Sequence, residues 1–128
     1  MKQDIAGRSD IEKLVNSFYD KVKRDDALGP IFNDIAKVDW PHHLPIMYNF
    51  WEMVLFGKGT YKGDPMTKHI QLNRQTTLTP AHFDRWKGLF FETIDEHFSG
   101  NKAEEAKLRA ANIASLMLYR VQKSVQLQ

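Results

Sequence analysis

Apolar residues recur at helical spacing along most of this chain, and this periodicity constrains the fold more than any other feature of the sequence. The first stretch shows it most clearly, with apolar side chains at Ile11, Leu14, Val15, Phe18 and Val22. Steps of three and four residues place such side chains on one face of an α-helix. Ser9 and Glu12 match a capping box, so we predict an amphipathic helix over residues 9–25, ended by Gly29-Pro30. A short turn is expected over residues 31–33.

The second predicted helix follows Trp40 and continues to Phe56. A proline suits the first turn of a helix, where its missing N–H has no partner within the helix. Because Pro41 and Pro45 lie four residues apart, we expect regular helix to start only near Pro45, with His43 at its mouth. The wide arc of apolar side chains on this helix predicts that most of it is buried.

Three more helices follow in the sequence. Glycines at 57, 59 and 63 interrupt the chain, and Asp64-Pro65 restarts a short helix through about Leu72. Thr79-Pro80 is a cap followed by a first-turn proline, and it predicts a helix through about Phe98. An alanine-rich helix is expected over residues 102–124. Since no segment shows the alternation of apolar and polar residues that is typical of a β-strand, the predicted fold class is all-α.

Composition excludes several classes of function. A chain of 128 residues forms one domain, and its 18 basic and 16 acidic residues are scattered without a basic block. Binding to nucleic acid or to an anionic membrane therefore has no support. The first twenty residues lack the apolar core of a secretory signal, and no apolar run is long enough to span a bilayer. We expect a cytoplasmic protein.

The chain has no cysteine, which limits how it could hold a metal. Disulfides, thiolate zinc sites, iron–sulfur clusters and covalently attached haem are all excluded. His42 and His43 cannot easily chelate one metal, because adjacent side chains on a helix diverge by about 100°. The paired-histidine motifs of zinc proteases and di-iron bundles are absent, so a site made only of protein ligands has weak support.

A planar cofactor requires less from the protein: one axial imidazole, an apolar slot and some cations. His69 offers the imidazole, since it lies in a short polar segment after the aromatic second helix. Candidates for the cations are Lys58, Lys62, Lys68 and Arg74, and those for the slot are Phe32, Phe50, Trp86 and Phe90. An aromatic stripe is more often plain core, so the residues alone leave both interpretations open.

An ordered set of residue groups along the chain favours the interpretation that it binds a planar cofactor. The groups are Phe18-Tyr19 with Lys21-Val22; Leu28-Gly29-Pro30-Ile31-Phe32-Asn33; Trp40 with His43; Asn49-Phe50-Trp51; Tyr61-Lys62-Gly63-Asp64-Pro65 with Lys68-His69; and Phe83 with Trp86, Leu89 and Phe90. With this ordered set, which spans about residues 9 to 120, the chain resembles the truncated haemoglobins of the third group. The resemblance implies a globin-like, two-over-two helical sandwich around haem, with residues 1–8 as an N-terminal extension and 125–128 as a tail.

The resemblance also implies roles for individual residues. His69 is the proximal ligand of the haem iron, and the Tyr19 phenol and the Trp86 indole N–H point into the distal pocket. His43 is the distal histidine at the pocket mouth, with His42 as a competitor, and Pro45 would let His43 swing outward as a gate. The remaining contacts are Met47 as an apolar wall, Phe32, Phe50 and Phe90 against the haem, and Lys68 and Arg74 at its propionates.

The implied function is binding of O2, NO and CO at a penta-coordinate iron of haem b. A hydrogen bond to a partly charged oxygen ligand contributes about 1.5–3 kcal/mol, so two donors would slow its release strongly. Such retention favours NO dioxygenase or peroxidase-like chemistry, supported by an unidentified reductase, in a protein expected to be monomeric. Storage or sensing of gases without turnover is the alternative, and a cofactor-free helical interaction module is a third.

Overall fold

The computed structural model describes residues 2–58, 72–73 and 76–126. Four helices account for most of them: α1 (Arg8–Arg24), α2 (Trp40–Phe56), α3 (Pro80–His97) and α4 (Asn101–Gln126). Within these ranges the only β pairing is an isolated bridge between Gln3 and Phe98. The all-α prediction is confirmed. The short helix predicted over residues 64–72 lies outside the described residues, except for Leu72.

The four helices form two layers of two. α1 packs against α2 and α3, and α4 packs against the same two helices. The five apolar residues that predicted α1 are all buried in the common core. Since these positions lie on one face of the helix, the periodicity of the sequence places that face correctly. None of the described helices is both long enough and apolar enough to cross a membrane.

The start of α1 differs from the prediction. Ser9 does not cap the helix, because α1 begins at Arg8 with Gly7 as its N-cap residue and without a side-chain cap. The Gly7 carbonyl accepts the N–H of Ile11 at 3.1 Å, which closes the first turn of the helix and places Ser9 inside it. The carboxylate of Asp10 accepts the N–H of Ala6 at 2.8 Å and so holds the chain before the helix. The capping-box prediction is therefore wrong.

The start of α2 also differs. Regular helix begins at Trp40 rather than near Pro45, since the Asp39 carbonyl accepts the N–H groups of His42 at 3.1 Å and His43 at 2.8 Å. Pro45 lies inside the helix, where it cannot donate the bond that another residue would make to the Pro41 carbonyl. His43 is consequently fixed in the first turn of a regular helix.

The described segments beside the helices show how the chain leaves and enters them. Residues 31–35, predicted as a turn, form one π-helical turn (Ile31–Ile35), in which Ala36 N–H bonds to the Ile31 carbonyl at 2.8 Å. Gly57, at φ 67°, ends α2 in the left-handed region. The predicted cap of α3 is confirmed: the Thr79 hydroxyl accepts the His82 N–H, and the His82 ring accepts the Thr79 N–H at 3.1 Å.

The N-terminal segment is attached to the start of α4. The Asp4 carboxylate accepts the N–H groups of Lys102 at 2.9 Å and Ala103 at 2.8 Å, which α4 itself cannot pair. Ile5 is buried in the main core. The predicted extension therefore caps one helix and adds a side chain to the core.

Candidate functional site

Tyr19 lies on the buried face of α1, and only 6% of it is exposed. Burial raises the pKa of its phenol, because the phenolate would lose its hydration among apolar neighbours. The hydroxyl is therefore neutral at physiological pH and keeps a proton to donate. A neutral donor inside an aromatic core is the kind of group that orients a small polar ligand.

Three rings from two other elements surround the ring of Tyr19. Its centroid lies 5.3 Å from that of Trp40, 5.4 Å from His43 and 6.2 Å from Phe32. Trp40 and His43 belong to the first turn of α2, whereas Phe32 lies in the π-helical turn. We call these four residues the Tyr19 cluster. The structure thus brings together three of the residues that the sequence singled out, namely Tyr19, Phe32 and His43.

The imidazole of His43 points into the protein. Its Nε2 atom is buried, and its ring meets that of Tyr19 edge to face, at an interplanar angle of 80°. The neighbouring His42 is exposed. In this structure His43 therefore occupies the inward position, and the outward orientation that Pro45 suggested is not adopted.

Trp40 is the member of the cluster to which the sequence assigned no role. Its ring stacks on Phe32 with 6.1 Å between centroids and meets His43 edge-on at 5.7 Å. Its indole N–H donates to the Asn33 side chain at 3.2 Å. The three-residue spacing of Trp40 and His43 on one helix was the available signal, because residues so spaced share a face.

Trp86 and Phe90 lie in a second aromatic group. Phe90 stacks on Trp51 at 4.8 Å and on Trp86 at 5.8 Å, and Phe18 meets both Trp86 and Phe90 edge-on. We call Phe18, Trp51, Trp86 and Phe90 the Phe90 stack. The two groups are joined through Phe18, whose centroid lies 4.8 Å from that of Tyr19. Trp86 is thus connected to the Tyr19 cluster through a shared neighbour.

The other predicted site residues divide into two sets. Met47, one turn beyond His43 on α2, and Phe50 are half-buried and pack against the main core. His69, Lys68 and Arg74 lie outside the described residues, as does Lys62. The proposed proximal ligand and the propionate partners therefore stay predictions, whereas the distal residues have defined surroundings.

A separate groove of about 690 Å³ opens between the end of α1 and α3. Four of its charged lining residues form ion pairs: Arg85 Nε lies 2.6 Å from Asp25, and Lys21 Nζ lies 3.6 Å from Glu92. Because most of the groove's charges are engaged with one another, it offers less for a ligand than the aromatic clusters.

Comparison with known proteins decides the family. The sequence model of the bacterial-like globins matches residues 3–118. The chain is similar to the group 3 truncated hemoglobin ctb of Campylobacter jejuni, with 34% identity over 118 residues that cover 90% of this chain and 91% of the relative. It is a group III truncated haemoglobin of the bacterial-like globin family. A crystal structure of the group III truncated hemoglobin from Campylobacter jejuni aligns with a TM-score of 0.83 and 33% identity, covering 94% of this globin and 95% of that chain.

Membership of this family implies that the globin binds haem and, through it, diatomic gases such as O2. The chemistry of the described residues fits such a cofactor. Aromatic rings dominate both clusters and suit a large apolar macrocycle, and the polar groups among them are the neutral Tyr19 phenol, the inward imidazole of His43 and the indole N–H groups of the tryptophans. A pocket that is apolar except for a few directed polar groups is typical of cofactor sites.

Proposed function

We propose that this globin binds haem b, with His69 as the proximal ligand of a penta-coordinate iron, and retains O2 tightly in a polar distal pocket. Tyr19, His43, Met47 and Trp86 form that pocket in the proposal. The observation that carries it is the buried phenol of Tyr19, packed edge-on against the inward ring of His43. Burying a hydroxyl in an aromatic core is costly unless it serves a polar partner.

The chain supplies three kinds of contact to the cofactor. The apolar faces of the haem would pack on Phe32, Phe50 and Phe90, and the haem propionates would pair with Lys68 and Arg74. His69 would hold the iron through one imidazole nitrogen. When bound, haem supplies the metal that takes up a diatomic gas and, in the ferrous state, gives an oxygen ligand partial negative charge.

The distal residues determine how long the gas is held. The Tyr19 phenol donates a hydrogen bond to a partly charged ligand, and the Trp86 indole N–H provides a second donor. Each such bond contributes about 1.5–3 kcal/mol, and about 1.4 kcal/mol corresponds to a tenfold change in an equilibrium constant. The rings of Phe32 and Trp40 keep water from the phenol, which strengthens its hydrogen bond by lowering the local dielectric.

Strong retention of O2 favours reaction over transport. A protein that releases oxygen slowly suits NO dioxygenase chemistry, in which NO would reach the held O2. Peroxidase-like chemistry would instead depend on the polar distal pocket, with a peroxide in place of O2 and a reducing co-substrate. Turnover through NO dioxygenation would require a cellular reductase to restore the ferrous state. We therefore propose a cytoplasmic, monomeric globin that works with such a partner. Storage or sensing without turnover is the alternative, and it predicts faster release.

Haem loading tests the proximal assignment. The wild-type protein is expected to give a Soret band on addition of haem, and His69→Ala is expected to hold haem weakly and to lose normal axial ligation. His42→Ala is the matched control, because His42 is exposed and should leave the spectrum unchanged. Absence of a Soret band in the wild type would sink the proposal, and normal ligation in His69→Ala would move the proximal role elsewhere.

Oxygen release tests the distal assignment. Tyr19→Phe removes only the hydroxyl and is expected to speed O2 dissociation from the ferrous protein by about 10- to 100-fold, the equivalent of one charge-assisted hydrogen bond. Tyr119→Phe is the control, since Tyr119 is exposed on α4. Stopped-flow displacement of O2 by CO measures both rates. Fast release that neither Tyr19→Phe nor Trp86→Phe alters would instead favour the storage alternative.

A further inference from the structure

The side-chain amide of Asn33 bridges two helices next to the Tyr19 cluster. Its Nδ2 donates to the carbonyl of Lys23 in the last turn of α1, at 3.2 Å. Its Oδ1 accepts the indole N–H of Trp40 in the first turn of α2, also at 3.2 Å. Because the amide donates on one side and accepts on the other, these two partners fix which way it points.

Lys23 also contacts the same indole directly, through its side chain. Its Nζ lies 4.7 Å from the centroid of the Trp40 ring, within the range of a cation–π interaction. Phe32, the residue before Asn33, stacks on Trp40 with an interplanar angle of 22°. The indole is therefore held by residues from α1 and from the π-helical turn, in addition to its own helix.

Trp40 transmits this restraint to the two polar residues of the pocket. Its ring contacts Tyr19 at 5.3 Å and His43 at 5.7 Å, while Tyr19 and His43 contact each other at 5.4 Å. Each of the three rings thus touches the other two. A rotation of the indole cannot occur without displacing the phenol or the imidazole, because packed aromatic rings leave little free volume.

We propose that Asn33 and Trp40 are positioning residues for the distal pocket. Asn33 fixes the plane of the Trp40 indole, and the indole in turn sets the orientation of the Tyr19 hydroxyl and the His43 ring toward a diatomic ligand. Neither residue touches that ligand itself. The inference rests on the proposed function, because Asn33 and Trp40 would act on the ligand only through Tyr19 and His43.

Carbon monoxide is the probe that tests this proposal, because the C–O stretching frequency of the ferrous protein responds to nearby hydrogen-bond donors. Asn33→Leu removes both amide bonds at an exposed position, and Trp40→Phe keeps an aromatic ring without the N–H. Each is expected to move or split the C–O band toward the position found in Tyr19→Phe. Each should also speed O2 dissociation by about three- to tenfold, as expected when one hydrogen bond in the chain is lost.

A double-mutant cycle separates positioning from simple loss of structure. If Asn33 acts through the indole N–H, Asn33→Leu combined with Trp40→Phe should shift the band no further than either change alone. Asn49→Leu is the matched control, because Asn49 also bridges α1 and α2, by accepting from Arg8 at 2.8 Å. It should lower stability in urea to a similar extent and leave the C–O band at the wild-type position.

The outcomes distinguish this inference from the function on which it rests. If Tyr19→Phe shifts the band while Asn33→Leu and Trp40→Phe leave it unchanged, the positioning role is wrong and the distal assignment of Tyr19 stands. If Asn49→Leu shifts the band as much as Asn33→Leu, the effect is only structural and the inference is overturned. If Tyr19→Phe itself changes nothing, both proposals fall. Should Trp40→Phe fail to fold, Asn33→Leu measured against Asn49→Leu still decides.

Discussion

The rings of Trp86 and Phe90 lie parallel within 3°, with their centroids 5.8 Å apart, one turn from each other on α3. Phe90 also stacks on Trp51 of α2 at 4.8 Å, so it joins the two helices through aromatic contacts. Because Phe90 is fully buried, its first role in this structure is in the protein core. Any contact with haem is additional to that role.

Replacing Phe90 by Ala is therefore expected to destabilise the protein even without cofactor. A buried Phe→Ala change costs about 3–5 kcal/mol, from lost burial and from the cavity that remains. Urea denaturation of the haem-free protein, followed by circular dichroism, measures the loss. Phe91→Ala, at the neighbouring half-buried position, should cost less. Unchanged stability in Phe90→Ala together with faster haem loss would show that Phe90 serves only the cofactor.

Gly100 precedes α4 at φ 142°, and an added Cβ would lie 2.5 Å from Cγ of Asp4. Gly100→Ala is thus expected to lower the free energy of unfolding by about 1–3 kcal/mol, from backbone strain and a displaced helix cap. Gly88→Ala is a suitable control, because it lies inside α3 where a Cβ would meet nothing within 4 Å. It should raise stability by about 0.5–1 kcal/mol through helix propensity. Equal changes in the free energy of unfolding for Gly100→Ala and Gly88→Ala, measured by urea denaturation, would contradict this prediction.

Asp25 closes the turn after α1. Its carboxylate accepts the N–H groups of Ala27 at 3.0 Å and Leu28 at 2.9 Å, and Arg85 Nε lies 2.6 Å away. Asp25→Ala is expected to cost about 1–3 kcal/mol, because the buried N–H of Leu28 loses its acceptor. Arg85→Ala should cost less, since 56% of that side chain is exposed and solvent screens its charge. Thermal unfolding of both variants shows which one loses more stability, with Asp26→Ala as an exposed control. A larger loss of stability in Arg85→Ala than in Asp25→Ala would contradict this prediction.

Two carboxylates make stability depend on acid pH. Burial raises the pKa of Asp25, but hydrogen bonds from Leu28, Arg85 and Ala27 outweigh it, so the pKa lies below its ordinary value. At Asp4 burial is likewise outweighed by backbone N–H groups at the start of α4, and its pKa is lowered too. A group with a lowered folded pKa stabilises the fold above its unfolded pKa and loses that contribution as pH falls through the folded pKa.

We therefore expect the free energy of unfolding to fall as pH drops below about 4, near the ordinary pKa of an aspartate. Asp4→Asn and Asp25→Asn should each flatten this decline relative to the wild type. Urea denaturation at intervals between neutral and acid pH measures the slopes. Wild-type slopes in both variants would mean that other groups govern the acid transition.

The sequence predicted most of the helices because their signals are local. Apolar spacing placed the buried face of α1, and Thr79-Pro80 placed the start of α3 to the residue. The helix starts that were predicted wrongly also depend on nearby residues, where several local signals compete. Gly7 rather than Ser9 is the N-cap residue of α1, and its carbonyl accepts the Ile11 N–H. At α2 the Asp39 carbonyl accepts the N–H groups of His42 and His43, so the helix begins at Trp40.

Candidate site residues could be proposed from residue type, order and resemblance. The structure brings two of them, Tyr19 and His43, into contact, and their roles stay predictions. Trp40 received no role, because its three-residue spacing from His43 predicts only a shared helix face and does not show that its ring will contact Tyr19, twenty-one residues away. Asn33 received none for the same reason. Its two hydrogen bonds connect residues on different elements, and only their relative placement reveals the bridge.

The sequence by itself thus determined an all-α chain with apolar helix faces, a candidate proximal histidine and a set of residues in truncated-globin order. Tertiary structure alone decided that the rings of Tyr19, Trp40 and His43 contact one another and that His43 points inward. It also decided that Phe90 lies in the core, stacked on Trp51 of α2 and on Trp86 of its own helix. The physical reason is that periodicity and capping act within a few residues of one another. Ring contacts and buried hydrogen bonds instead depend on how α1, α2 and α3 pack, which no local pattern specifies.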